Sequence, residues 1–226
     1  MALARAAGAE LRTGIAVEAV EPHRSGVRVR AGGDVIEAGG AIVAAGPWTA
    51  KLLPQLSLPL RVTRQVIAWF DPRAPDLFAP DRFPVFLLET PHGVHYGFPL
   101  DAEASLKLAK HHHLDEDVDP DAVERSVGTR DEDAIRSAVA AHLPAADGPL
   151  RAAKTCLYTM APDGHFVIDR LPGAPQVIVA SPCSGHGFKF APVIGEILAD
   201  LATAGSTRHD ISRFGLARRT LLPPGP

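Results

Sequence analysis

The chain has 226 residues, of which 46% are hydrophobic and 22% charged, with a formal net charge of -3. That is an ordinary globular balance; the slight acidity excludes a nucleic-acid footprint, no apolar run reaches the roughly 18 residues that span a bilayer, and two cysteines make no disulfide framework. The length allows one large domain or two small ones, the opening MALARAAGAELRTG lacks the apolar core of a secretory signal, and the cytoplasm is the expected compartment.

Leu3, Ala6, Ala7 and Leu11 recur at helical spacing and predict a short helix. Gly14 begins a strand, GIAVEAVE. Val27 and Val29 alternate with Arg28 and Arg30, the pattern of a strand with one solvated face. Gly32-Gly33-Asp34 reads as a hairpin turn, and Val35 and Ile36 continue into the return strand. Residues 41–45, AIVAA, form a small apolar run expected to be buried on both sides. Gly46-Pro47-Trp48 breaks it, and residues 49–53 start a helix.

From Leu60 the composition shifts to longer β-rich runs. Residues 64–70, 84–90, 93–99 and 105–110 read as strands of an antiparallel sheet separated by Pro-rich turns. A helix is expected over 131–142, with Ala134, Ile135, Ala138, Val139 and Ala141 on its apolar side and Asp131 to Asp133 favouring its N-terminus. The only low-complexity tract is the three-histidine run at 111–113. Neighbouring strand residues point to opposite faces, so a three-His metal site is not expected there, and His112 and His113 read as a solvated turn.

Residues 177–204, VIVASPCSGHGFKFAPVIGEILADLATA, organise the chain. A buried strand over 177–180 leads into a glycine loop, Ser184, Gly185, His186 and Gly187. A helix follows from Pro192, which suits a first helical turn; Val193, Ile194, Ile197, Leu198 and Leu201 share one face, opposite Glu196 and Asp200. Strand, glycine loop and helix let bare backbone N–H groups face a ligand, with the charge of Lys189 beside them. On glycine spacing alone an ordinary strand–helix connection explains the same residues.

Two upstream features change that balance: Cys156 in KTCLYTMAPDGHFVIDRLP, and the tract GVHYGFPLDAEASLKLAKHHH at 93–113. With SGHGFKF, and in this order, they resemble the FAD-dependent N-methyl amino acid oxidases, the family of monomeric sarcosine oxidase and N-methyltryptophan oxidase. The resemblance runs from about Leu11 to about Arg219, and the C-terminal third looks closest to N-methyltryptophan oxidase. It implies a mixed α/β fold: a flavin domain of the FAD/NAD(P)-binding type over 1–59 and 160–226, with an inserted antiparallel β-sheet substrate domain over 60–159. Relatives begin with a strand, a GxGxxG turn and a helix that hold the dinucleotide. No GxGxxG occurs here, so the expectation is an N-terminally truncated flavin domain.

The resemblance also implies roles. Cys156 matches the cysteine that bonds covalently to the flavin through sulfur; the bland alternative for a lone cysteine is a small buried apolar residue. Cys183 has no family role. Lys107 matches the lysine near the flavin edge where oxygen reacts, where a fixed cation lowers the barrier to a superoxide-like anion. Leu106 and Leu108 flank Lys107 and turn it away from their own face, toward solvent or a wet cavity. His111 and Tyr96 match substrate-contacting residues, and Lys189 matches the partner of the substrate carboxylate. Gly46 and Trp48 fall near the cofactor and Val17 near its adenine end, with a core aromatic as the alternative for Trp48. Tyr158, two residues after Cys156, shares its strand face and is expected to contact flavin or substrate. The second carboxylate anchor of relatives, an arginine, has no counterpart, and a lone lysine orients a carboxylate less well.

The expected function is flavin-dependent oxidation of an N-methyl amino acid by O2 in a monomer without nucleic-acid or membrane partners. A relative oxidising another amine, and a non-catalytic remnant that binds no FAD, remain alternatives.

Overall fold

The structure is a computed structural model that describes residues 1–221. Residues 222–226, the end of the expected flavin segment, lie outside the described residues. In chain order the elements are α1 (Ala2–Ala6), β1 (Val17–His23), β2 (Gly26–Ala31), β3 (Asp34–Ala38), β4 (Ala41–Val43), α2 (Thr49–Leu52), β5 (Arg61–Phe70), β6 (Phe86–Thr90) and β7 (Gly93–Gly97). There follow β8 (Leu106–Lys110), β9 (Glu116–Asp117), α3 (Thr129–His142), β10 (Leu150–Met160), β11 (Val167–Leu171), β12 (Ala174–Ser181) and α4 (Ala191–Thr203). They divide into two compact units. The first holds residues 1–59, 166–182 and the segment from Lys189 on; the second holds residues 60–165 and Cys183–Phe188. The boundary expected at 159/160 thus falls at 165/166, and the glycine loop separates from its flanking strand and helix. The physical reason is that Ser184 N donates to Thr159 O at 2.8 Å, tying the loop to the end of β10.

In the first unit β1, β2 and β3 form an antiparallel meander. Gly32 and Gly33 make its tight turn at φ 59° and 86°, values that only glycine adopts freely and that match the strand twist. Val27 is buried while Arg28 and Arg30 are exposed, as the alternation requires. A second sheet has the order β11-β12-β4, with β12 and β4 parallel. α4 closes a core in which Ile194, Ile197 and Leu201 pack with Phe166, Ile168 and Ile178. The predicted short helix forms as α1 but ends at Ala6, short of Ala7 and Leu11. One expectation does not hold. β4 is an edge of its sheet, paired only with β12 among the described residues, so Ile42 is 41% exposed rather than covered on both sides.

The second unit is built on an antiparallel sheet of order β10-β5-β8-β7-β6, with β9 pairing β5. Side chains alternate across it. Val66, Ala68 and Phe70 of β5 and Leu106 and Leu108 of β8 point to one side, where Ile135 and Val139 of α3 complete a core. Asp131 caps the start of α3, accepting from Gly128 N at 3.0 Å. Ala141, expected on the apolar side, is exposed in the last turn.

Ile135 is fully buried in this core. Ile135→Ala is expected to destabilise the second unit by about 2–5 kcal/mol, the transfer loss plus the cavity. Urea unfolding followed by tryptophan fluorescence measures it; an unchanged midpoint would contradict the packing described.

Candidate functional site

The side of the second unit's sheet opposite α3 carries the candidate site. Register fixes which residues share it, because directly opposed residues face the same way. Cys156 of β10 opposes Gln65 of β5, and Tyr158 opposes Thr63. Trp69 of β5 opposes Lys107 of β8, and Ala109 of β8 opposes Tyr96 of β7. With the period of two along each strand, Tyr96, Lys107, Cys156 and Tyr158 all lie on one face.

The polar groups of that face are linked. His111, just past β8, places Nδ1 3.1 Å from the Tyr158 hydroxyl, and Tyr158 and Tyr96 are close enough for each to influence the other's phenol. Lys107 Nζ lies 5.6 Å from the centroid of Trp69 and 5.1 Å from that of Phe98, within cation–π range of both rings. Lys107 is therefore held over aromatic faces on the side away from Leu106 and Leu108, both buried. Burial pushes the Tyr158 phenol strongly upward, with Tyr96 and Cys156 adding to it. Burial also raises Tyr96, against the hydrogen bond from Tyr158. The Cys156 thiol is pushed up by burial, while the charge of Lys107 pulls it back.

The glycine loop belongs to this site. Gly185 has φ 76°, and a Cβ there would meet Tyr158 Cε2 at 2.9 Å and His111 Cε1 at 3.0 Å. Glycine is thus required twice, by conformation and by close approach. Ser184 is a clamp: its hydroxyl donates to His165 O at 2.9 Å and accepts from Ala161 N at 3.2 Å. The expectation of bare N–H groups needs correction for two of the four loop residues. Ser184 N donates to Thr159 O, and His186 N to Cys183 O. His186 also sets Nε2 3.1 Å from Gly164 O. Gly187 ends the loop, half-buried.

The remaining expected residues belong to the first unit. Val17 opens β1 and Gly46 adopts φ 51°. Trp48 is 38% exposed, so it is not a core aromatic. Lys189 is exposed, its ammonium 5.4 Å from the Phe190 centroid.

Sequence reasoning overlooked Gln65. It is 2% exposed and faces the same side as Cys156. Its Nε2 donates to Thr63 Oγ1 at 2.9 Å, leaving Oε1 buried with no partner among the described residues. The signal lay in RVTRQVIAWF, where Thr63, Gln65, Ile67 and Trp69 alternate with Arg64, Val66, Ala68 and Phe70. Sequence reasoning also misplaced His113. It is buried rather than solvated, with Nε2 2.9 Å from Asp131 Oδ1. His112 is the exposed member of the run, at φ 57°.

A half-buried thiol, an unsatisfied amide acceptor, a fixed cation over aromatics and a loop without a Cβ make a face suited to a flat, polar, electron-accepting ring. A family model described as FAD dependent oxidoreductase matches residues 1–201. The chain is 38% identical over 223 residues to monomeric sarcosine oxidase of Arthrobacter sp. (strain TE1826), covering 97% of this chain and 57% of that protein. It is 36% identical to N-methyl-L-tryptophan oxidase of Salmonella typhi, covering 96% and 57%. Among solved structures it is similar to NikD, described as an unusual amino acid oxidase essential for nikkomycin biosynthesis. That match has a TM-score of 0.78 and 29% identity and covers 95% of this chain and 57% of that one. The chain thus spans 57% of the length of these relatives.

Proposed function

Because this chain belongs to the family of FAD dependent oxidoreductases, we propose that it oxidises the N-methyl group of a sarcosine- or N-methyltryptophan-like amino acid. Oxygen and water are consumed, and the free amino acid, formaldehyde and hydrogen peroxide are released. The observation that carries this is the gathering of Tyr96, Lys107, His111, Cys156 and Tyr158, from separate stretches of sequence, on one side of the second unit.

FAD, when bound, supplies the two-electron redox chemistry. Cys156 would hold it covalently, beside Tyr158 and the loop of Ser184, Gly185, His186 and Gly187; the buried Gln65 acceptor and the missing Cβ at Gly185 support that fit. In the first unit the proposed cofactor contacts are Val17, Gly46, Trp48 and Lys189. Tyr96 and His111 bind and orient the substrate, and Lys189 pairs with its carboxylate as a point charge. Lys107 stabilises negative charge developing on oxygen. On this proposal the second unit acts as substrate domain and the first as flavin domain. The working form is a monomer, supported by the name of the sarcosine oxidase relative, and the cytoplasm is its compartment. No helix among the described residues is long and apolar enough to cross a membrane.

The test is to incubate the purified chain with FAD, remove free flavin and assay peroxide formation with sarcosine and with N-methyltryptophan. Retained yellow colour and peroxide from either amine support the proposal; a chain that never takes up FAD favours the non-catalytic alternative. In an active preparation Lys107→Met is expected to slow oxygen consumption at least tenfold, about 1.4 kcal/mol of barrier, with little change in the rate of anaerobic bleaching by substrate. Equal slowing of both, followed by stopped flow, would remove Lys107 from the oxygen step.

A further inference from the structure

The run His111-His112-His113 divides between different surroundings. His111 is half-buried beside Tyr158, His112 is exposed in left-handed conformation, and the His113 ring is fully enclosed. We infer that His113 is a positioning residue: its ring, gripped by the buried Asp131–Arg64 pair, fixes the turn that sets His111 against Tyr158. The consequence for chemistry depends on His111 being the substrate-facing histidine proposed above.

The geometry is a short chain of contacts. His111 N donates to Val94 O at 2.7 Å, His113 N to Lys110 O at 3.2 Å, and Asp115 N to His112 O at 2.9 Å. These bonds close the turn and tie its start to β7. The side chain of His113 then anchors it to the first turn of α3 through Asp131 Oδ1 at 2.9 Å. Asp131 is held in turn by Arg64, with Nη1 to Oδ1 at 2.6 Å and Nη2 to Oδ2 at 3.0 Å. Arg64 lies on β5 next to Gln65 and points to the side away from Cys156. One carboxylate therefore joins the His turn, a strand of the site sheet and α3.

The carboxylate can only accept, so His113 Nε2 carries the proton and Nδ1 the lone pair. Nδ1 is buried and has no partner among the described residues. A second proton there would face no acceptor. The charged groups around the ring are Asp131, Arg64 and Glu116; burial favours the neutral ring and Asp131 opposes it. The ring is a neutral wedge with one donor, and both properties serve placement rather than proton transfer.

Proton–nitrogen NMR of the histidine rings in the intact chain tests this. His113 is expected as the neutral Nε2–H tautomer, with a through-space contact between His111 and Tyr158. In His113→Phe that contact is expected to be lost and the His111 ring signals to shift. In His113→Gln, whose amide N–H reaches for the same carboxylate, both should return to the wild-type pattern. A folded His113→Phe protein with unchanged His111 signals overturns the inference. Should that variant fail to fold, His113→Gln decides: native His111 signals support the anchor, and displaced signals in a folded chain overturn it. The readout is ring geometry, not turnover, so a chain without oxidase activity would refute the proposed function and leave this result standing.

Discussion

Asp131→Ala is expected to cost the second unit about 3–5 kcal/mol, the range for removing one partner of a buried ion pair. The Arg64 side chain is 7% exposed and that of Asp131 9%. Arg64 uses its whole fork: two bonds to the carboxylate, Nε to Glu124 O at 2.9 Å and Nη2 to Ser126 O at 2.7 Å. Without the carboxylate a buried guanidinium keeps only backbone carbonyls and the longer, more exposed contact with Glu116 at 3.6 Å to balance it. His113 Nε2–H and Gly128 N–H lose their acceptor at the same time, and each orphaned donor adds its own desolvation penalty. Asp131→Asn keeps one acceptor oxygen and should cost less. Urea unfolding of both variants measures the difference; a loss under about 1 kcal/mol for the alanine would mean the pair is not sealed from water.

The same node sets the acid response. The Arg64 guanidinium, helped by Gly128 N–H and His113 and against burial, holds the Asp131 carboxyl well below the usual carboxylate range. A carboxyl depressed in the folded state contributes stability that is present above its unfolded pKa, near 3.9, and is lost as pH falls toward the folded value. His113 acts earlier in the same direction. Burial lowers its pKa from 6.5, so below that value the unfolded chain binds a proton that the folded chain refuses. Wild-type stability should therefore decline in two stages on acidification, and His113→Gln should remove the upper one.

Cys156→Ala is expected to abolish acid-stable flavin attachment entirely. Wild-type chain loaded with FAD should keep its yellow colour in an acid precipitate; the variant should release all of it to the supernatant. Only a thiolate is nucleophilic enough to form the bond. Burial raises the Cys156 thiol and the Lys107 charge opposes that rise, so attachment in the wild type should quicken as pH increases. Lys107→Met should slow it. Colour retained in the Cys156→Ala pellet would show that another residue, or none, makes the bond. Cys183, half-buried at the start of the glycine loop, is the control: its alanine variant should keep the colour.

Much of this was legible in the sequence. The alternation in VRVR, the Gly-Gly turn and the helical face of Ile194, Ile197 and Leu201 are local patterns, and they appear as expected. So does the placement of Lys107 away from its leucine neighbours, which follows from a period of two. The misses are non-local. Ile42 looked buried because its run is apolar, but edge position depends on which strand pairs beside it. His113 looked solvated because histidine runs usually are. Its burial needs an Arg64 that is 67 residues from Asp131 in sequence to bring the carboxylate beneath it.

By itself the sequence determined many of the elements, the two-faced character of their strands and the family, since each rests on neighbours along the chain or on a short ordered motif; β9 and β11 were not read from it. Only the tertiary structure decided that Gln65 opposes Cys156, that Gly185 must lack a side chain because of Tyr158 and His111, and that three adjacent histidines sit in different surroundings. Register and burial are set by pairings between residues far apart in the chain. Those pairings depend on the summed packing of whole sheets and helices, which no local spacing encodes.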